Sequence, residues 1–135
     1  MNDSMGKYVA TEVVKLMIKN TIAVKGAKVL MLGITFKENC PDIRNTKAID
    51  IYNELIQYDM EVDVYDPWAK PEEVMHEYGI KNISNTLPEN KFDTILLAVS
   101  HDEFKAIDVN SLKKENAVVF DVKGVLNNDI IDGKL

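Results

Sequence analysis

The stretch that decides the fold is residues 27–46, which read AKVLMLGITFKENCPDIRNT. It opens with a short, continuous apolar run rich in valine, leucine and isoleucine, as a strand buried on both faces of a parallel sheet requires. Polar residues follow from Phe36 to Thr46, and such long connections between a strand and a helix are often functional. The stretch therefore predicts a buried strand, a long loop and then a helix.

Strands and helices alternate along the rest of the chain. Apolar periodicity and turn residues predict further strands at 60–65, 80–83, 93–99 and 117–122, and helices at about 47–58, 71–78 and 101–106. A helical stripe precedes the first strand and consists of Met5, Tyr8, Val9, Val13, Leu16 and Met17. This order predicts an α/β fold, a Rossmann-like three-layer sandwich with a mostly parallel sheet and helices on both faces, preceded by an N-terminal helix.

The bulk composition restricts the class of protein. The chain has 135 residues, enough for one domain, and its net charge of -6 argues against a general nucleic-acid binder, which needs a basic stripe. Cys40 is the single cysteine, so no intrachain disulfide forms and a cytoplasmic location is expected. We expect no membrane span and no metal site, because apolar runs are short and histidines are scattered.

The long loop carries two cations, Lys37 and Arg44, and leads into the N-terminus of a helix. In an open parallel sheet, ligands bind beyond the carboxyl ends of the strands, and helix N-termini attract anions. A phosphate or pyrophosphate is the natural ligand of such a loop. The alternative is that both cations are solvated, with Asp42 and Glu38 as surface partners.

The glycine-rich fingerprint of a dinucleotide site is missing. Gly33 is followed by Ile34, Thr35 and Phe36, where further glycines would let the backbone approach a pyrophosphate. The residues therefore argue against a self-contained NAD site in this chain.

Four polar or aromatic residues near strand ends have two interpretations each. Asp66 either meets a ribose or, as we favour, makes the turn at Asp66-Pro67. Trp68 either stacks on a base or packs beside that turn. His101 and Asp102 either touch a ligand, or Asp102 caps a helix beside a bystander histidine.

Residues 33–46, GITFKENCPDIRNT, resemble a signature of the UDP-glucose/GDP-mannose dehydrogenase family. In that signature a glycine ends the strand, Phe-Lys follows, and an Asp-x-Arg triplet comes five residues after the lysine. Three more segments match in order: YDP at 65–67, FDVKGVL at 120–126, and NDSMGKYV at 2–9, which is similar to the helix that joins the family's two domains. The wording FKENCPDIRNTK is most similar to the branch that oxidises UDP-N-acetylhexosamines for bacterial surface polysaccharide.

The resemblance implies a division of labour. Family members have an N-terminal NAD domain, a central helical dimerisation region and a C-terminal UDP-sugar domain. They oxidise the sugar C6 alcohol to a carboxylate with two NAD, through a thioester on a cysteine. Residues 1–25 would be the end of the connecting helix and residues 26–135 the UDP-sugar domain.

The resemblance also implies roles for individual residues. Lys37 would reach the UDP-sugar with help from the Phe36 backbone, and Arg44 would lie toward the cofactor. Lys123, which stands where the family often has arginine, would contact the sugar nucleotide of a neighbouring subunit. Alternatively, Lys123 pairs with Asp121 at the sheet edge.

Neither the glycine-rich NAD loop nor the catalytic cysteine motif of the family occurs in the chain, and Cys40 is interpreted as a small loop residue. We therefore expect a fragment that is inactive alone, whose partners are a UDP-sugar, a missing N-terminal domain and a second copy bound through the central helix. One alternative is a stand-alone module that binds UDP or another nucleotide. A receiver-type signalling domain is disfavoured, because Lys37 and Arg44 rather than acids follow the first strand.

Overall fold

The computed structural model describes residues 4–135, and its helices and strands alternate as predicted. The α-helices are α1 (Ser4–Lys19), α2 (Ala48–Gln57) and α3 (Pro71–Tyr78). The strands are β1 (Lys28–Leu32), β2 (Glu61–Tyr65), β3 (Ile83–Ser84), β4 (Phe92–Leu97), β5 (Lys113–Asp121) and β6 (Gly133–Lys134). Three 3-10 helices cover Asp102–Ala106, Val109–Leu112 and Asn128–Ile130.

The six strands form one sheet in the order β3-β2-β1-β4-β5-β6. Every neighbouring pair in this sheet is parallel. The chain winds outward from β1 through β2 to β3, then returns to the other side of β1 with β4. The sheet therefore has the strand order of a Rossmann fold, as predicted, and the reversal lies between β1 and β4.

The two faces of the sheet are covered differently. Val29 and Met31 of β1 point into a cluster built with α1, α2 and α3, whereas Leu30 and Leu32 point to the opposite face. That second face is covered by Phe104, Val109 and Leu112 from the 3-10 helices. The prediction of helices on both faces is thus confirmed for one face, whereas the other face carries short 3-10 helices instead of α-helices. The connection between β4 and β5, residues 98–112, is too short for a long helix.

Helix α1 packs onto this domain. Val9, Val13 and Met17 of the predicted stripe are fully buried, whereas Tyr8 is 52% exposed, so its place in the stripe was wrong. Where α1 crosses α2, a Cβ on Gly6 would lie 3.0 Å from backbone atoms of Asp50, a tight contact that glycine avoids. Residues 2 and 3 of the matching N-terminal segment lie outside the described residues. No helix within residues 4–135 combines the length and the hydrophobicity needed to cross a membrane.

Strand ends differ from the predictions by a few residues. The third strand was predicted at 80–83, but pairing begins only at Ile83, because the buried Ile80 packs into the core at the end of α3. The last predicted strand begins earlier, at Lys113, and β6 was missed. Two residues carry too little pattern to reveal a strand.

Candidate functional site

Gly33 ends β1 and fixes the geometry of the switch point. Its φ of 97° is unfavourable for other residues, and a Cβ there would lie only 2.6 Å from Cβ of Val99. The backbone after β1 therefore passes directly against the segment that follows β4. Residues 34 and 35 turn away from the ladder at this point, which is why β1 stops short of the predicted Thr35.

The loop at 36–46 folds back on itself. The Phe36 N–H donates to the Asp42 carbonyl at 2.7 Å, and Asn39 and Asn45 adopt the left-handed conformation that asparagine tolerates. The Thr46 hydroxyl donates to the Thr35 carbonyl at 3.0 Å and accepts from the Ala48 N–H at 3.1 Å. Thr46 thus joins the end of the loop to both β1 and the first turn of α2.

A cleft of about 260 Å³ opens where the loop, α2 and the segments after β4 and β5 meet. Phe36 and Lys123, two of the predicted site residues, line it, together with Thr46 and Lys47, which the sequence analysis missed. Lys37 is exposed outside the lining, and its ammonium has no ion-pair partner among the described residues. The signal for Thr46 and Lys47 was available, since they occupy the predicted helix start.

Arg44 lies in a neighbouring open groove together with Lys47 and Asp50, outside the lining of the cleft. Its guanidinium is 82% exposed and makes two contacts of 3.0 Å with the Asp42 carboxylate. The side-chain and backbone hydrogen bonds from Arg44 lower the pKa of Asp42 to about 2. The alternative that Asp42 is a surface partner is therefore confirmed for Arg44.

Asp66 is fully buried at the end of β2. Its Oδ1 accepts from the Trp68 and Ala69 N–H groups at 2.8 and 3.1 Å, which confirms the favoured turn interpretation. Its Oδ2 accepts from the Ile34 and Thr35 N–H groups at 2.7 and 3.2 Å. Both oxygens are thus occupied inside the protein, and the interpretation of Asp66 as a ribose contact was wrong.

Burial alone would raise the pKa of Asp66. Hydrogen bonds from His101 and from the Ile34 and Trp68 N–H groups outweigh that effect, and its pKa falls below the ordinary value. A carboxylate that accepts several donors stays ionised even when buried. Asp66 therefore provides a fixed negative charge beneath the switch point.

His101 is also fully buried and completes this network. Its Nε2 lies 3.0 Å from Oδ2 of Asp66 and 3.1 Å from the Thr35 hydroxyl, while its Nδ1 accepts from the Asn39 N–H at 2.9 Å. Because a backbone N–H can only donate, Nδ1 is unprotonated and Nε2 carries the hydrogen. The interpretation of His101 as a bystander was wrong.

The structure also tests the predictions for Asp102, Trp68 and Asp121, which lie near the same edge of the sheet. Asp102 is not a side-chain cap, since the 3-10 helix begins after His101 without one, and its N–H donates to Oδ1 of Asn39. Trp68 packs over the His101 ring, with centroids 6.1 Å apart, and donates to Glu103. Asp121 is buried and accepts from three backbone N–H groups, including that of Lys123, so no ion pair joins the two side chains.

The charged side chains at the cleft are mainly lysines, a composition that favours anions over metal ions. Among residues 4–135, no cluster of histidine, cysteine and acidic side chains could hold a metal ion. Cys40 is a free cysteine, half-buried in the loop. Lys47 and Lys123 line the cleft and Lys37 stands beside it, which concentrates cations on a chain of net charge -6.

Comparison with known proteins identifies the family of this chain. A family model described as the UDP binding domain of the UDP-glucose/GDP-mannose dehydrogenase family matches residues 30–128. The chain is 49% identical, over its whole length, to UDP-N-acetyl-D-glucosamine 6-dehydrogenase of Pseudomonas aeruginosa, of which it spans 32%.

Solved structures agree with the family match. The UDP-N-acetyl-mannosamine dehydrogenase Cap5O from Staphylococcus aureus is 31% identical, with a TM-score of 0.70, over 93% of this chain and 28% of that one. The NDP-N-acetyl-D-galactosaminuronic acid dehydrogenase from Methanosarcina mazei shares the fold with a TM-score of 0.84 at 23% identity, over 98% of this chain and 29% of that one. The chain therefore belongs to the UDP-glucose/GDP-mannose dehydrogenase family and contains its UDP binding domain.

Proposed function

We propose that this chain binds the UDP-sugar substrate of an NAD-dependent nucleotide-sugar 6-dehydrogenase. The main observation behind this proposal is the cleft at the β1–β4 switch point. Lysines lie along its edge although the chain as a whole is acidic. Two phosphates of a nucleotide sugar match these lysines and the N-terminus of α2. The substrate is a UDP-N-acetylhexosamine, oxidised at C6 to a uronate for capsule or surface polysaccharide.

The proposed roles follow the family signature. Phe36 presents its backbone to the nucleotide, Lys37 reaches the UDP-sugar from the edge of the cleft, and Lys123 contacts the sugar nucleotide of a neighbouring subunit. Arg44 serves the cofactor side, which fits its position in the adjacent groove and its 82% exposure. Residues 1–25 are proposed as the end of the connecting helix and residues 26–135 as the substrate domain.

NAD does not fit this half of the enzyme. Asp66, the acid at the end of β2 where a ribose would bind, is fully buried with both oxygens occupied. The loop at 34–46, which follows Gly33, contains no further glycine to let the backbone approach a pyrophosphate. We therefore assign NAD binding to a separate N-terminal domain. The family resemblance supports placing the catalytic cysteine there too, and we propose that the complete enzyme is a cytoplasmic homodimer.

The first experiment is calorimetric titration of the chain with UDP, UDP-N-acetylglucosamine, UDP-N-acetylgalactosamine and NAD. We expect the uridine ligands to bind weakly, since a cleft of 260 Å³ is smaller than a complete small-molecule site of at least about 300 Å³. Binding of NAD alone would contradict the proposal. Production of NADH from any UDP-sugar by this chain would contradict the assigned division of labour.

Lys37→Ala is expected to weaken UDP binding about tenfold, because it removes one charge-assisted contact to phosphate. Lys81→Ala is the matched control, since Lys81 is equally an exposed lysine but lies before β3, remote from the cleft. Equal UDP affinities for the two variants would refute the role of Lys37.

A further inference from the structure

The loop beside the cleft is held from below by one buried side chain. Thr35, His101 and Asp66 are all fully buried, and they come from the ends of three different strands. His101 lines no part of the cleft, whereas Thr35 lines it directly. Any effect of the imidazole on a ligand must therefore pass through its neighbours.

Two chains of hydrogen bonds run from the imidazole into the loop. At Nδ1, it accepts from the Asn39 N–H at 2.9 Å, and Asn39 is one of the residues with positive φ. At Nε2, it meets the Thr35 hydroxyl at 3.1 Å, and that hydroxyl donates to the Lys37 carbonyl, also at 3.1 Å. The backbone on both sides of Lys37 is thus fixed by one ring.

The ring itself has little freedom. Asp66 holds Nε2 from β2, and the Phe104 and Trp68 rings lie against the imidazole with centroids 5.2 and 6.1 Å away. The Asp66 carboxylate selects the tautomer with hydrogen on Nε2, which leaves Nδ1 free to accept. A protonated imidazole would present an N–H donor to the Asn39 N–H, and a flipped ring would present a C–H group, so either change would break that bond.

We infer that His101 is a positioning residue of the nucleotide site, which holds the backbone from Thr35 to Asn39 in the conformation that presents Phe36 and Lys37 to the ligand. This inference rests on the proposed function for the identity of the ligand. The ligand chemistry is a uridine diphosphate group, and the imidazole acts without touching it.

Two substitutions separate the roles of the two ring nitrogens. Asparagine places its oxygen where Nδ1 stands, so His101→Asn keeps an acceptor for the Asn39 N–H. Glutamine extends to the position of Nε2, so His101→Gln keeps a partner for Asp66 but loses that acceptor. Both variants shrink a buried side chain, so a role in stability alone would lower the denaturation midpoint in both and would not separate their UDP affinities.

The test measures two quantities for the full chain and both variants: the dissociation constant for UDP by calorimetry, and hydrogen exchange of the Asn39 amide by NMR. We expect His101→Gln to weaken UDP binding about five- to tenfold and to accelerate exchange at Asn39. His101→Asn loses the Nε2 contacts but keeps the Asn39 acceptor, so it should weaken UDP binding less and leave exchange at Asn39 close to that of the unsubstituted chain. Equal UDP affinities in the two variants, or equal Asn39 exchange, would overturn the inference.

A second pair covers the case in which the histidine variants fail to fold. Thr35→Ser keeps the hydroxyl and Thr35→Val keeps the shape, so only Thr35→Val should free the Lys37 carbonyl and accelerate exchange at Asn39. Exchange rather than UDP affinity is the readout for this pair, because Thr35 itself lines the cleft. If the unsubstituted chain does not bind UDP, the proposed function fails for the isolated chain. Exchange at Asn39 still decides whether His101 holds the loop.

Discussion

Two carboxylates near the switch point, Asp42 and Asp66, both have lowered pKa values but differ in burial and in the range of their contacts. Asp42 pairs with Arg44, two residues away, at the surface. Asp66 is buried and binds the backbone at residues 34 and 35 as well as His101, all more than thirty residues distant. The direction of a pKa shift therefore does not indicate how distant in sequence the contacts of a carboxylate are. Asp42 orders a few atoms of its own loop, whereas Asp66 joins three strand ends.

The largest difference between the two sites should appear on neutralising each carboxylate. In Asp66→Asn, an amide group faces backbone N–H donors in the interior, and we expect a loss of at least about 3 kcal/mol in the free energy of unfolding. Asp42→Asn is the matched control and should leave the denaturant midpoint unchanged, because the pair is exposed. Equal denaturant midpoints for the two variants would contradict the different contributions of Asp66 and Asp42 to stability.

Acid should separate the two sites next. Because the pKa of Asp66 is lower in the folded protein than the ordinary 3.8, the stability it contributes is present above that value and is lost as the pH falls through the folded pKa. We expect urea midpoints to decline as the pH falls below about 4, with a shallower slope in Asp66→Asn. Sodium chloride at about 1 M should not remove this difference, because buried contacts are screened little. Equal slopes of the urea midpoint against pH in the two proteins would contradict this contribution of Asp66.

The smallest effect is expected for Arg44→Gln. The Asp42 carboxylate keeps its bond from the backbone N–H of residue 44 at 2.9 Å, so the loop retains its local turn without the guanidinium. Thermal unfolding should give an unchanged midpoint, since exposed pairs contribute little to stability. A large drop in the midpoint of thermal unfolding would show that the exposed Asp42–Arg44 pair stabilises the loop more than its exposure indicates.

The sequence could predict what depends on local pattern. The apolar run after Ala27, the loop, α2 and the helix predicted at 71–78 all follow from neighbouring residues, and the structure confirms them. Gly33 was also visible, although the close contact with Val99 that requires it was not.

What the sequence could not predict depends on distant pairs. Asp66 looked like a turn residue and His101 like a bystander, because each interpretation used only adjacent residues. Their hydrogen bonds join positions 31 to 66 residues apart, and such pairs exist only once the sheet brings strand ends together. The same reason explains Asn39, whose contacts with the turn at 101 and 102 leave no trace in its own neighbourhood.

The placement of α1 has a consequence for the order in which the domain assembles. This helix is the first of the described elements to leave the ribosome, yet besides α2 it packs against β5 and β6, the last two strands. Its buried stripe can meet α2 early, but it stays partly uncovered until the final strands are synthesised. Such long-range closure slows folding and exposes apolar surface in the meantime. We therefore expect Val9, Val13 and Met17 to be a point of misassembly when β5 and β6 are absent.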